Sequence, residues 1–438
     1  MVYKFPKGFF WGAATSAHQV EGNNHNDWSE WELKNAKIKA QIAKNNPPKG
    51  GWPDFILESY PNPLQEENYI SSKACDHYNR YEEDFDIAKS LGHNAHRFSI
   101  EWSRIEPEEG KFDEKEIEHY RKVILALKKR GLEPFVTLWH WTLPLWLVEK
   151  KGVRNRNFPK YFERYVSKMV KSLDSEVKYW LTINEPEIYS LNSYFRGRWT
   201  PQRQGIFNFY LTIRKLISAH KKAYRAIKKN NSSSVVGVVC NLSDFQSSEG
   251  IINVLLKVFF ERFWNHYFLR NVKNYLDCIG LNFYFHNRID YGLNKNTNEV
   301  ISDVGWDLHP EGIENVLNNL KRYHRPIFIT ESGLADKQDQ HRSWFIEKTT
   351  EAISRALSAN VDVRGYFHWS LLDNFEWDKG FWPRFGLVEV DYSAKGGSPP
   401  EADAPLEHAS GGKTLKRTIR PSAWEYKRII EKLQKEKF

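Results

Sequence analysis

From residue 9 onward, short apolar runs alternate with stretches of helical period. The runs are Phe9–Ala14, Ala95–Ile100, Glu133–Trp139, the segment from Tyr179 to Glu185, Val235–Asn241, Cys278–Phe285, the segment from Pro326 to Glu331, and Val363–Leu371. The helical stretches are Tyr81–Leu91, Lys115–Arg130, Phe162–Leu173, Phe209–Lys229, Ile252–Leu269, Glu311–Tyr323, Arg342–Ala359 and Ser422–Lys437. In the second of these, Ile117, Tyr120, Ile124 and Leu127 share one face and Gly131 supplies the stop. Strict alternation means parallel strands joined by helical crossovers, and eight such units close a ring. The expected fold is therefore α/β, a (β/α)8 TIM barrel with long loops at the C-terminal face. It is expected to be a single domain over residues 1–438, with surface excursions at about 23–75 and 393–418. A doubly wound open sheet is the competing fold, but the glycine-rich phosphate turn it usually carries after its first strand is missing.

Two strands end alike. Tyr179-Trp180-Leu181-Thr182-Ile183-Asn184 runs into Glu185-Pro186, and Pro326-Ile327-Phe328-Ile329-Thr330 runs into Glu331-Ser332-Gly333. Proline after Glu185 cannot extend a ladder, so the carboxylate falls where the strand stops. In a barrel all strand C-terminal ends meet at one face, which brings the two glutamates together. A carboxylic acid and a carboxylate at one site suit proton donation and nucleophilic attack on one bond; taken singly, each is equally an exposed strand-end residue. Around the same rim the order places Gln19, Arg97, His140, Trp141, Asn184, Asn282, Tyr284, Trp369, Glu376 and Trp377. Amides bind hydroxyls, and several of the 17 tryptophans fall beside polar residues at strand ends, where flat indoles suit sugar faces.

Charge and composition exclude other classes. The formal charge is +9, but lysine and arginine are mixed with glutamate along helices, which argues for solvated faces and against a nucleic-acid partner. The chain holds no apolar run of about 18 residues, so no membrane span is expected, and Met1 to Gly8 lacks a signal-peptide core. Three cysteines show neither metal spacing nor a disulfide framework, which fits a reducing cytoplasm. No cofactor or metal is expected at the strand ends, since Trp139-His140-Trp141 offers a single histidine.

These motifs resemble glycoside hydrolase family 1, the β-glucosidase and β-galactosidase family. FPKGFFWGAATSAHQVEG, ACDHYNRYEEDFDIAKSLG, HRFSIEWSRIEPEEG, LWHWTLP, TINEP, GLNFYF, ITESG and HWSLLDNFEWDKGFWPRFGLVEVDY occur in family order over nearly the whole length. The resemblance implies a retaining exo-β-glycosidase acting on a small sugar substrate. It makes Glu185 the acid/base, Glu331 the nucleophile, and Arg97 and Tyr284 the partners of Glu331. Asn184 would hold the sugar 2-hydroxyl; Gln19, His140, Glu376 and Trp377 would grip the sugar; Trp369 would stack, with Trp141 and Phe385 also binding substrate. Arg97 is expected to lower the pKa of Glu331, while the charge of Glu331 raises that of Glu185. Retention further implies carboxyl groups about 5–5.5 Å apart. The chain departs from the pattern at Thr142, usually aspartate, at His18, usually tyrosine, and at His96, usually aromatic. Glu376 would repel a phosphate, which argues for a neutral sugar over a 6-phosphosugar. A catalytically inactive sugar-binding barrel and a transglycosidase using the same intermediate are the competing readings, and the sequence fixes no oligomeric state.

Overall fold

The computed structural model describes residues 5–173, 175–393 and 415–435. Eight strands close into a parallel barrel in chain order. They are β1 Phe10–Ala14, β2 Ala95–Ser99, β3 Glu133–Thr137, β4 Tyr179–Asn184, β5 Val235–Ser247, β6 Cys278–Ile289, β7 Ile327–Ser332 and β8 Val363–Trp369. Closure is made by β8 on β1, where Phe10 pairs with Gly365 and Ala14 with Trp369.

Most of the long helices cover the outside by one apolar stripe each. Helix Phe158–Leu173 buries Phe162, Tyr165, Val166, Met169 and Leu173. Truncating such a buried ring to alanine costs about 3–5 kcal/mol. Helix Glu114–Lys129 begins where Asp113 accepts hydrogen bonds from the backbone N–H groups of Lys115 and Glu116. The barrel interior is plugged by aromatic rings. Phe135 stacks on Tyr179 at 4.3 Å, with Phe10, Phe328 and Phe367 packed around them. The plug closes the barrel below, so a solvent-connected site must lie at the strand C-terminal ends. Among the described residues, no helix is long and apolar enough to cross a membrane.

The structure corrects the sequence reading in three places. Strands β5 and β6 run on together to Ser247 and Ile289, well past the expected ends at Asn241 and Phe285, because Ser243 to Ser247 pair with Phe285 to Ile289 above the barrel rim. The helix expected over 252–269 is three pieces: Ile251–Phe260, a π turn at Glu261–Asn265, and Tyr267–Val272. Of the excursion expected at 393–418, most lies outside the described residues. Its end is strand: Arg417–Ile419 pairs antiparallel with Val388–Val390. The excursion at 23–75 opens with a 19-residue helix, Asp27–Asn45, capped by Asn26.

Candidate active site

A cavity of about 600 Å³ opens at the C-terminal ends of the strands. Its wall includes Gln19, His140, Trp141, Glu185, Tyr284, Glu331, Trp369, Glu376, Trp377 and Phe385. Arg97 and Asn184 are buried against these residues without belonging to the wall itself. All twelve side chains expected from the sequence thus fall in one place.

Glu185 takes a left-handed backbone, φ 41°, between the end of β4 and the helical turn Pro186–Ser190. Trp141 and Trp377 also have positive φ, 80° and 46°. Such conformations cost about 1–3 kcal/mol each and persist where packing overdetermines them. Trp141 is held by its indole N–H, which donates to the carbonyl of Asn184 at 2.8 Å. Trp377 lies among Trp141 at 4.6 Å, Trp28 at 4.7 Å and His140 at 5.7 Å, ring centre to ring centre. The glycine after the second glutamate has a steric reason. A Cβ on Gly333 would fall 1.9 Å from the Trp369 carbonyl oxygen, where β7 runs against β8.

The two carboxylates have different partners. Glu331 accepts from the Arg97 guanidinium and, at 2.9 Å, from the Tyr284 hydroxyl. Arg97 also donates to Asn184 Oδ1 at 2.7 Å and to Thr137 Oγ1 at 3.1 Å, which fixes its plane. Among the described residues, Glu185 accepts only from neutral amides, Asn282 Nδ2 at 2.6 Å and Asn241 Nδ2 at 2.9 Å. Thr330 donates to Asn282 Oδ1 at 2.7 Å and so aims that amide.

Burial sets the proton affinities. It raises the pKa of Glu185, the charge of Glu331 raises it further, and the two amides lower it, leaving it at about 8. Glu331 also lies above the ordinary carboxylate range, because burial outweighs the opposing pull of Arg97, Tyr284 and Asn282. Arg97 lowers the pKa of Glu331, as expected, but desolvation is larger and the net shift is upward. Glu331 faces a cation and, among the described residues, Glu185 faces none, so of the two Glu185 holds a proton more readily.

At the polar end of the cavity, Gln19 Nε2 donates to Asn374 Oδ1 at 2.9 Å, to the Phe375 carbonyl at 2.8 Å and to Glu376 Oε2 at 3.4 Å. Ser16 donates to its Oε1 at 2.7 Å. Burial pushes Glu376 up to about 7. Asn184 Nδ2 lies 3.0 Å from His140 Nε2, and the other ring nitrogen of His140 has no partner among the described residues. Burial first, then Arg97, holds His140 well below its ordinary pKa, hence neutral. The departures from the family pattern are absorbed locally. Thr142 donates to Glu101 Oε2 at 2.9 Å. His18 pairs with Glu32 at 2.7 Å and stacks beneath Trp377. His96 contacts Thr15 Oγ1 at 3.2 Å.

Sequence reasoning missed Asn241 and the opposite wall. Asn241 closes the fifth apolar run, but no local pattern gives it a role there; in the structure it lies inside β5 and its amide reaches Glu185. The rest of the wall includes Phe245 on the extension of β5, and Phe195, Phe260, Phe263, Leu293 and Trp306, carried on loops, helix ends and π turns. Asn282 was placed at the rim without a task; its contact with Glu185 supplies one. Among the described residues, one group has metal-ligand character: Asp244, His286 and His309, with ligand atoms within 4.8 Å of one another. Asp244 and His286 alternate with Ser243, Phe245, Phe285 and Asn287 of the wall, so they face away from the cavity.

Barrel, paired carboxylates and indole wall together define a glycoside-cleaving enzyme, and known proteins make the class specific. The sequence pattern described as Glycosyl hydrolase family 1 matches residues 1–250 and 256–435, and the chain belongs to that family. A 1,4-beta-D-glucan glucohydrolase of Thermotoga neapolitana is 30% identical over 477 residues, 98% of each chain. A beta-galactosidase of Saccharolobus solfataricus is 28% identical over 90% of this chain and 92% of its own. Among solved structures, a beta-glycosidase from Pyrococcus horikoshii superposes with a TM-score of 0.81 at 33% identity, over 99% of this chain and 98% of that one. The protein is a β-glycosidase.

Proposed function

We propose that this enzyme hydrolyses β-glucosides, β-galactosides or related neutral β-glycosides from the non-reducing end, with retention, by double displacement. The observation that carries the reading is the division between the two glutamates: Glu331 is paired with a cation, Glu185 is not and has a pKa near 8. At neutral pH that leaves Glu185 with a proton to give.

In the first step Glu185 donates its proton to the glycosidic oxygen as the bond to the anomeric carbon breaks. Glu331 attacks that carbon and forms a glycosyl ester, and the leaving group departs as an alcohol. With Glu331 neutralised by the ester, the charge that raised the Glu185 pKa is gone. Glu185, now a carboxylate, takes a proton from water as the water oxygen attacks the anomeric carbon and the ester bond to Glu331 breaks. The proton returns to Glu185 and the nucleophile is freed, so the cycle balances as hydrolysis.

Gln19 and Glu376 suit the sugar's outer hydroxyls, and the unpartnered nitrogen of neutral His140 suits one more. Trp369, Trp377, Trp141 and Phe385 supply flat apolar walls to the ring's C–H faces. Asn184 joins Arg97 to His140 and, with them, would meet the 2-hydroxyl. Arg97 and Tyr284 hold Glu331 aimed at the anomeric carbon. The test is release of nitrophenol from a nitrophenyl β-glucoside. Glu331→Ala is expected to lower kcat by about 10⁴-fold or more; a variant retaining near wild-type rate would sink the assignment.

A further inference from the structure

Helix Ile251–Phe260, with sequence IINVLLKVFF, is apolar nearly all round, yet among its residues only Asn253 is buried. A helix of that composition normally lies inside a protein or against a partner. Ile251, Leu255 and Phe259 are 78%, 63% and 59% exposed. Their spacing of four places them on one helical face. The stripe leads to the cavity. Phe259 lies 6.2 Å from Phe263, which is part of the cavity wall together with Phe260 and Trp264. From Phe263 the contacts continue through Phe209 at 6.0 Å to Phe195 at 6.4 Å, again on the wall. Phe207 and Tyr291 add further exposed rings from the neighbouring helix and loop. Exposed apolar surface of this extent marks a binding surface. Its continuity with the cavity says which molecule it binds: the one whose sugar end is already inside.

The family pattern stops at residue 250 and resumes at 256, so Ile251 to Leu255 lie outside what this chain shares with the family as a whole. A second sugar in the leaving-group position would need hydrogen-bonding partners for its hydroxyls. The cavity wall offers such partners in Asn192, Arg196, Arg198, Asn287 and Asn294; the stripe beyond it does not, and from Phe263 to Ile251 it runs about 18 Å at ~1.5 Å per residue.

We propose that the preferred leaving group is a long unbranched apolar chain, of the alkyl or acyl kind, which leaves the cavity past Phe263 and lies along Phe259, Leu255 and Ile251. This rests on the glycosidase reading above and names its substrate class: amphiphilic β-glycosides, whose chain reaches past the mouth onto the stripe.

The experiment compares kcat/KM for methyl, butyl, hexyl and octyl β-glucosides, each below its critical micelle concentration, by release of glucose. A fully buried methylene is worth about fourfold, and a chain lying on an open face about half of that free energy, or roughly twofold per methylene. The octyl to methyl ratio is therefore expected to be about 50-fold or more. Leu255→Ser with Phe259→Ser, both exposed, should reduce that ratio to a few-fold; taking the ratio removes any general loss of activity. A flat series in the wild type overturns the proposal. So does a ratio unchanged in the double variant, including the case where the variant alters only self-association or binding to phosphatidylcholine vesicles. If the wild type cleaves nitrophenyl β-glucoside but shows a flat alkyl series, only this assignment fails. If it cleaves neither, the glycosidase reading fails and this one with it.

Discussion

Gln19, His140 and Trp377 at one end of the cavity are at most 5% exposed, and each is held by side chains from several strand ends. Phe195, Phe263 and Leu293 on the other wall are 41%, 39% and 41% exposed and are carried by loops and helix ends. The first end is closely hydrogen-bonded and buried; the second sets half-exposed rings among the side chains of Asn192, Arg196, Arg198 and Asn294. A sugar presents hydroxyls in fixed directions, so its end must be rigid and each donor placed. A leaving group that only needs to depart can be held by area alone, and area tolerates mobile supports. The Glu185–Glu331 pair stands at the seam between them.

The largest expected effect falls on that seam. Glu185→Gln removes the proton donor and should cut kcat on alkyl β-glucosides by about 10²–10⁴-fold, and by much less on nitrophenyl β-glucoside, whose leaving group needs little help. The wild-type rate should decline as pH rises through about 8, where Glu185 loses its proton, and the variant should lose that limb. Equal losses on both substrates would separate Glu185 from the leaving group.

Next in size is Glu376→Ala at the polar end. It takes a buried carboxylate away from the sugar and leaves the Gln19 amide without one of its acceptors. A loss of about 100-fold in kcat/KM is expected, equal for every leaving group on the same sugar. A loss that varies with the leaving group would erase the distinction between the two ends.

Phe263→Ala on the apolar wall should behave in the opposite way. It should cost about 10-fold for an octyl glucoside and close to nothing for a methyl glucoside, since only the former covers the ring. An equal loss on both would mean that Phe263 supports the seam instead of the chain.

The smallest effect concerns Asn241. Its amide favours the ionised form of Glu185. Asn241→Ala should therefore raise the Glu185 pKa and move the alkaline limb of the pH–rate profile upward. A downward move would contradict the hydrogen-bond assignment.

The same contrast explains how much could be read from the sequence. Period-two runs ending in Glu185-Pro186 and Glu331-Ser332-Gly333 state both the strand and its end, so the barrel and the rim residues were legible. Once the strand order is known, closure brings Gln19, His140, Glu331 and Trp369 together without further information. Asn241 stands at the expected end of the fifth run, but its task depends on a contact with Glu185 across the barrel rim that no local pattern shows; the extension of β5 to Ser247, made by pairing with β6, was likewise unmarked. The apolar wall was hidden for a different reason. Residues 252–269 carry the composition of one helix, but the chain breaks at the π turn Glu261–Asn265, and that break turns Phe263 to the cavity. Apolar composition alone says that a segment will be covered, not by what. The fall of Arg97 beside Glu331 was legible, whereas the net direction of the Glu331 pKa depended on burial, which no sequence pattern measures.

The division of labour between the two glutamates is tested most directly by following hydrolysis of a β-glucoside by proton NMR and reading the anomer of the first sugar released, before mutarotation. Attack by Glu331 followed by water on the same face predicts the β-anomer first. Appearance of the α-anomer first would mean that water attacks directly with no glycosyl ester on Glu331, and would contradict the account.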